Sequence, residues 1–63
     1  MEKISLKAAR INAGLTQDDL GKMMNVHRNT VAAWEKNPKS ISIETAEKLC
    51  AALKVKISYI FFG

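Results

Sequence analysis

Two adjacent residues, Arg28 and Asn29, carry side chains suited to recognising flat polar edges. The Arg28 guanidinium can donate two parallel hydrogen bonds to O6 and N7 of guanine, and the Asn29 amide can pair with N6 and N7 of adenine. The hydroxyl of Thr30 suits a backbone group or a phosphate better than a base. These residue types point to the reading of base edges.

The chain lacks the residues that catalysis or metal binding would require. The chain has one histidine, His27, and one cysteine, Cys50, which fall on different predicted helices. It contains no phosphate-cradling glycine loop, no metal-ligand spacing and no nucleophile motif. We therefore predict no catalytic residue, no metal site, no cofactor and no small-molecule substrate.

The side chains that could read bases need a rigid element to present them, and residues 15–36 contain two helix patterns in succession. Thr16 is a good N-cap, and Asp19 three residues later can complete a capping box. Asn25 tolerates the left-handed conformation that ends a helix, and a second helix can begin at about His27. Two short helices joined by a tight turn are typical of a helix-turn-helix reader of DNA.

The second of these helices has one inward and one outward face. Val31, Trp34 and Glu35 share a face because their spacing is i, i+3 and i+4. The opposite face carries Arg28, Asn29, Ala32, Ala33 and Lys36. The pattern therefore predicts that the polar residues point away from the core.

The joint spacing of residues along nearly the whole chain resembles the Cro/repressor-type helix-turn-helix domains of phages and bacteria, the XRE-like family. The residues that carry this resemblance are Arg10, Gly14, Leu15, Thr16, Gln17, Leu20, Val26, Thr30, Val31, Trp34, Glu35, Leu49, Leu53, Val55, Ile60, Phe61, Phe62 and Gly63. The alternative is an amphipathic helix pair in which the Trp-Glu pair is a coincidence.

This resemblance implies an all-α, compact five-helix fold of the lambda-repressor-like type, with the helix-turn-helix in helices 2 and 3. Residues 1–63 would form a single domain. The expected helices cover roughly residues 5–13, 16–24, 27–36, 43–53 and 57–62.

Together with the side-chain chemistry, the resemblance predicts which residues face DNA. The expected base contacts are Arg28, Asn29 and Ala33. The expected contacts to the DNA backbone are Gln17, His27, Thr30, Lys36, Asn37 and Lys39. Ala32 and Ala33 stand where the family often places polar readers, and they offer only methyl contacts, for instance to thymine. Few polar side chains are therefore available to recognise bases.

Some of these assignments leave an alternative open. His27 stands at the family's usual Ser or Thr capping position, where an imidazole caps poorly, so it either touches a phosphate or is simply exposed. Lys36 and Lys39 flank a segment that runs along the DNA backbone in the family, but they would equally suit a solvated turn.

Two charged residues lie on otherwise inward faces. Arg10 shares a face of the first helix with Leu6 and Ala9, and Glu35 faces inward on the third helix. A half-buried charge needs a partner, so we infer a structural Arg10–Glu35 ion pair, which the family pattern also implies. The alternative is two independent, solvated charges.

The C-terminal segment resembles the family's short fifth helix and is unusually apolar. So small a domain cannot bury all of the apolar side chains of this segment. The sequence therefore predicts a possible protein interface at Tyr59, Ile60, Phe61 and Phe62. A homodimer on DNA would read two half-sites about one helical turn apart. The alternative partner is a phage repressor, in a heteromeric complex.

Lys54 stands where the family often has glycine, which predicts strain at the end of the fourth helix.

Bulk properties agree with a small DNA-binding domain. The chain has 63 residues, 48% of them hydrophobic, and a net charge of +4 that is compatible with a polyanion. A single cysteine permits no internal disulfide and fits a reducing cytoplasm. No apolar run approaches a membrane span, and no signal peptide opens the chain. We expect a cytoplasmic protein.

Two classes of function remain. The first is a small phage or bacterial transcription regulator, Cro-like or repressor-like, that binds double-stranded operator DNA through the major groove. The second is an antirepressor or modulator that binds another helix-turn-helix repressor and alters its DNA binding in a lysis–lysogeny switch. An antitoxin-type regulator is a third variant. The fold alone does not decide between them.

Overall fold

Four α-helices make up most of the computed structural model, which describes residues 2–63. They are α1 (Leu6–Asn12), α2 (Gln17–Met24), α3 (Arg28–Lys36) and α4 (Ile43–Leu53). Single 3-10 turns, Pro38–Ser40 and Ile57–Tyr59, follow α3 and α4. The predicted all-α fold, with a helix-turn-helix in the second and third helices, is confirmed over the described residues.

Every one of these four helices begins at a side chain that accepts a backbone N–H. The caps are Ser5 to Ala8 N at 3.0 Å, Thr16 to Asp19 N at 3.0 Å, His27 Nδ1 to Asn29 N at 3.0 Å and Ser42 to Thr45 N at 3.1 Å. Such caps satisfy backbone donors that a helix leaves free at its start. The expectation that His27 caps poorly is wrong in geometry, since its ring nitrogen fills the place of a hydroxyl.

The capping box of α2 makes the stability of the domain depend on pH. The backbone N–H of Thr16 donates to the Asp19 carboxylate at 2.9 Å, and this bond and the Thr16 hydroxyl hold the pKa of Asp19 below its ordinary value. A lowered pKa stabilises the fold above about pH 4, and this contribution is lost as the pH falls through the folded-state value. We expect Asp19→Asn to lose that part of the acid dependence in unfolding titrations. An NMR titration midpoint of Asp19 at or above its ordinary value would contradict the account.

The helices α2 and α4 end in the left-handed conformation. Asn25 and Lys54 both have φ of 58°, and the N–H of each bonds back into its helix. Asn tolerates this conformation, whereas a long side chain with an ordinary Cβ is strained in it. The strain predicted at the end of the fourth helix therefore lies at Lys54.

Lys54→Gly is expected to raise the free energy of unfolding by about 0.5–1 kcal/mol, because glycine reaches a positive φ without a Cβ penalty. Part of the gain is offset by the greater freedom of glycine in the unfolded chain. Lys48→Gly, at an exposed interior position of the same helix, is the matched control and should cost about 1 kcal/mol. Urea unfolding of the two variants measures both effects, and a loss of stability in both would contradict the strain at Lys54.

The core draws one large, fully buried side chain from each helix and one from the C-terminal segment. These residues are Leu6, Leu20, Val31, Leu49 and Ile60, each at most 1% exposed. Because α3 contributes only Val31 to this set, most of its surface remains outside the core. The packing therefore fixes the position of α3 while leaving one of its faces free.

The expected fifth helix over residues 57–62 is wrong. Only the 3-10 turn Ile57–Tyr59 forms there, and Ile60 then pairs with Ile4 as a parallel β-bridge. Ile4 N–H donates to Tyr59 O at 3.0 Å, and Phe61 N–H donates to Ile4 O at 2.8 Å. β-branched and aromatic residues are weak helix formers that suit an extended backbone, and the segment before α1 supplies the hydrogen-bonding partner.

Candidate nucleic-acid interface

The turn between α2 and α3 is compact because Gly21 allows it. Val26 N–H donates to Gly21 O at 2.8 Å, and a Cβ built on Gly21 would lie only 2.7 Å from Val26 O. Gly21 itself is buried. A side chain here would push the turn outward, so this glycine lets α3 start close against α2.

The two faces of α3 differ in burial as the helical spacing predicts. Val31 is fully buried, Trp34 packs against the core, and the Glu35 side chain is only 6% exposed. The exposed positions of this helix are Arg28, Asn29, Ala33 and Lys36, while Thr30 and Ala32 are half-buried. The three side chains predicted to contact bases, Arg28, Asn29 and Ala33, are therefore all exposed.

A buried polar cluster ties α3 to the two preceding helices. Arg10 Nε donates to Glu35 Oε2 at 2.6 Å, and Arg10 Nη2 donates to Glu35 Oε1 at 3.4 Å. Arg10 Nη1 also donates to the carbonyl of Leu15 at 2.8 Å, in the loop between α1 and α2. The two charges thus form a buried ion pair and are not separately solvated, and the pair holds α3 at a set angle to α1.

Gln17 joins the same cluster, a contact that sequence reasoning missed. Its side-chain Nε2 donates to Glu35 Oε1 at 3.0 Å, and the residue is half-buried. One amide hydrogen is therefore directed at protein rather than at solvent. Nothing local signals this bond, because Gln17 and Glu35 lie 18 residues apart. The predicted contact of Gln17 with a phosphate stays a prediction.

The loop after α3 extends the exposed polar surface. Lys36, Asn37 and Lys39 are all exposed, and Ser40 closes the turn by donating its hydroxyl to Asn37 O at 2.7 Å. The aliphatic part of Lys39 lies against Gly63, so the loop also contacts the C-terminal segment. The side chains of Lys36 and Lys39, both predicted to contact DNA, are therefore exposed.

The electrostatics of this surface favour an anion. Between residues 27 and 40 the cations are Arg28, Lys36 and Lys39, and the one carboxylate, Glu35, is buried against Arg10. No exposed carboxylate in that stretch opposes the three cations. Lysine and arginine groups left free in this way attract phosphates, and the attraction weakens as salt rises.

The start of α2 is electrostatically less favourable. Asp18 and Asp19 directly follow Gln17, and both are exposed. Asp18 pairs with Lys22 at 3.3 Å and Asp19 bonds to Thr16, which compensates only part of their charge. Two carboxylates beside Gln17 repel a phosphate, so α3 and the following loop hold the greater share of the positive potential.

Comparison with known proteins agrees with this geometry. A family profile described as helix-turn-helix matches residues 6–60. The chain is 37% identical over 60 residues to an uncharacterized HTH-type transcriptional regulator of Bacillus subtilis, YgzD, covering 95% of this chain and 91% of that protein. It is 41% identical over 59 residues to an uncharacterized HTH-type transcriptional regulator of Methanocaldococcus jannaschii, MJ0272, covering 94% and 89% respectively.

The chain belongs to the XRE-type helix-turn-helix family. The family assignment implies a DNA-binding transcriptional regulator, the coarse function that the exposed face of α3 also suits. Because the match spans residues 6–60, it includes both α3 and the buried Arg10–Glu35 pair. In helix-turn-helix proteins the second helix of the motif enters the major groove, and α3 is the second helix of the motif in this chain.

The C-terminal segment of this helix-turn-helix domain exposes less apolar surface than the sequence predicts. Ile60 is 1% exposed and belongs to the core, so it cannot form part of an interface on the folded domain. Phe61 is 56% exposed, while Tyr59 and Phe62 are half-buried against the core. Extended backbone alternates inward and outward residues, which explains why Ile60 points in and Phe61 out.

The part of the chain that the structure describes offers neither a reactive thiol nor a cluster of metal ligands. Cys50 is buried in the core, and its burial raises the pKa of the thiol, which keeps it protonated and unreactive. Over residues 2–63 no three His, Cys, Asp or Glu side chains lie together as metal ligands. Within the same residues, no helix has the length and apolar character needed to cross a membrane.

Proposed function

We propose that this helix-turn-helix protein is a small transcription regulator that binds operator DNA by inserting α3 into the major groove. Arg28 and Asn29 make the polar base contacts, and Ala33 adds a methyl contact. The observation that carries this proposal is the exposed, cationic face of α3, which the buried Arg10–Glu35 pair orients.

The proposed contacts to the DNA backbone surround these base readers. They come from Gln17, His27, Thr30, Lys36, Asn37 and Lys39, most of which are exposed. Contacts of this kind set the register of the helix on DNA without reading sequence. A function on DNA also agrees with the cytoplasmic location expected from the composition.

Fluorescence anisotropy with DNA from the protein's own locus tests this function. We expect tight binding to one short duplex near physiological salt, and much weaker binding to a scrambled duplex of equal length. A titration at several salt concentrations should give a steep linear loss of log affinity. Equal, weak binding to both duplexes would overturn the proposal that the protein reads an operator by itself.

A homodimer is the proposed form on DNA. Two copies related by a two-fold axis would place two α3 helices in successive major grooves, about 34 Å apart. The exposed Phe61, beside half-buried Tyr59 and Phe62, is the proposed contact between copies. No side chain of residues 57–63 is charged, so this segment itself brings no like charges together when two copies meet.

Phe61→Ser is therefore expected to shift the monomer–dimer equilibrium toward the monomer by roughly 10-fold or more, since it removes a large aromatic contact. Ile43→Ser is the matched control, because Ile43 is 78% exposed and lies at the start of α4. Sedimentation equilibrium on both variants and the parent measures the effect. A parent that stays monomeric at hundreds of micromolar, with and without operator DNA, would rule out this interface.

The second candidate function is that of an antirepressor or modulator in a phage lysis–lysogeny switch. The exposed Phe61 favours it, as do Ala32 and Ala33, which leave the reading helix with few polar groups. In that case the partner is another helix-turn-helix repressor. The same anisotropy experiment distinguishes the two: a modulator would bind operator weakly itself and reduce or redirect the binding of the neighbouring repressor.

A further inference from the structure

His27 is the one cap among the four helices that is not a hydroxyl. Its Nδ1 accepts the backbone N–H of Asn29 at 3.0 Å, whereas Ser5, Thr16 and Ser42 use hydroxyl oxygens. An imidazole nitrogen can accept a hydrogen bond only if it carries no proton. The neutral ring must then hold its proton on the other nitrogen, Nε2. The cap therefore selects the tautomer of His27.

The second nitrogen places a donor where a serine or threonine has none. A capping hydroxyl keeps its proton on the capping oxygen itself, whereas the imidazole carries its N–H on the far side of the ring. His27 is exposed, and its Nε2 has no hydrogen-bond partner within residues 2–63. It directly precedes Arg28 and Asn29, the proposed base readers.

We propose that the cap on α3 locks His27 in its Nε2–H form and thereby presents that N–H as a fixed donor to a DNA phosphate beside the base readers. This inference rests on the proposed DNA-binding function and decides which of the two roles left open by the sequence His27 takes. One side chain then stabilises the start of α3 and fixes its register on DNA. Neutral His27 is sufficient for both roles.

The tautomer can be tested on the free protein. A long-range ¹H–¹⁵N correlation spectrum of the neutral imidazole should show His27 protonated at Nε2 and unprotonated at Nδ1. A ring protonated at Nδ1, or a rapid mixture of the two tautomers, would overturn the proposed lock. This measurement needs no DNA, so its outcome is independent of the proposed function.

Two amide substitutions separate capping from DNA contact. His27→Asn keeps an acceptor near the position of Nδ1 but removes the distal donor, so thermal stability should persist while operator and scrambled DNA both bind roughly 3- to 10-fold more weakly. Because the neutral imidazole carries no charge, the salt slope should stay unchanged, unlike the slope after loss of a lysine contact. His27→Gln keeps a distal N–H but caps poorly, so its melting temperature should fall while the folded protein retains the phosphate contact.

Arg28→Ala, measured beside these variants, distinguishes the two ways in which the inference could fail. If Arg28→Ala weakens operator binding and His27→Asn does not, His27 is only a cap and the proposed function stands. If neither substitution changes binding, both residues are removed from the interface, whereas a parent that binds operator no better than scrambled DNA shows the proposed function itself to be wrong. If His27→Asn weakens binding but also melts early, the comparison with His27→Gln shows whether the lost donor or the lost cap is responsible.

Discussion

Glu35→Ala is expected to lower the free energy of unfolding by about 3–5 kcal/mol, the range for breaking a buried ion pair from one side. The Arg10 side chain is 9% exposed and that of Glu35 6%, so the remaining guanidinium would be buried without its counter-charge. Gln17 would lose its acceptor as well. A domain of this size has about 3–9 kcal/mol of stability, so the loss would remove from about a third of it to all of it.

The control for this prediction replaces both charges together. Arg10→Met with Glu35→Leu removes the pair without leaving a buried charge, and such replacements are often neutral or stabilising. The double variant should therefore be more stable than Glu35→Ala alone. Lys48→Ala breaks the exposed Lys48–Glu44 pair and should change stability by less than about 1 kcal/mol.

Urea unfolding followed by circular dichroism measures all of these variants on one scale. A Glu35→Ala variant as stable as the parent would show that the ion pair contributes nothing in solution. A double variant that is as unstable as the single one would show instead that shape, and not charge, is what the cluster provides. Either result would remove the reason to regard the pair as the device that orients α3.

Arg28→Ala is expected to weaken operator binding by about 1–3 kcal/mol, or roughly 5- to 150-fold. The Arg28 side chain is exposed in the first turn of α3, and a bidentate contact to guanine is lost when it is truncated. The loss should fall mainly on the operator and little on scrambled DNA. Discrimination at one base position should relax, which binding to a set of single-substitution duplexes would show.

Lys39→Ala is the contrasting variant on the same surface. Its exposed ammonium group can meet a phosphate but cannot read a base, so the loss should be equal for operator and scrambled DNA. The slope of log affinity against log salt should become shallower by about one. Unchanged discrimination in Arg28→Ala would remove that residue from the readout, whatever happened to Lys39→Ala.

Local patterns predicted the elements that position the site. Thr16 with Asp19, and Asn25 in its left-handed conformation, mark the start and end of α2 in the sequence and in the structure. The i, i+3, i+4 spacing of Val31, Trp34 and Glu35 is enough to separate the inward face of α3 from its outward face. These features depend on neighbours within one or two helical turns, which the sequence lists directly.

The errors arose where a distant segment supplied the deciding contact. The expected fifth helix gave way to an extended segment because Ile4, more than fifty residues earlier, offers its N–H and carbonyl to Tyr59 and Phe61. That pairing directs the side chain of Ile60 into the core and leaves that of Phe61 exposed. The bond from Gln17 to Glu35 likewise joins helices that no local pattern connects.

By itself, the sequence determined that this protein folds into short helices that include a helix-turn-helix. Helix caps, apolar spacing and left-handed helix ends depend only on residues a few positions apart, so the sequence shows them directly. It also determined which side chains α3 offers, since helical geometry alone assigns their faces. Only the tertiary structure decided that Ile60 is core, that Gln17 is held by Glu35 and that His27 caps through Nδ1. Those outcomes depend on which segments meet in space, and on how a side chain is oriented once its neighbours are in place.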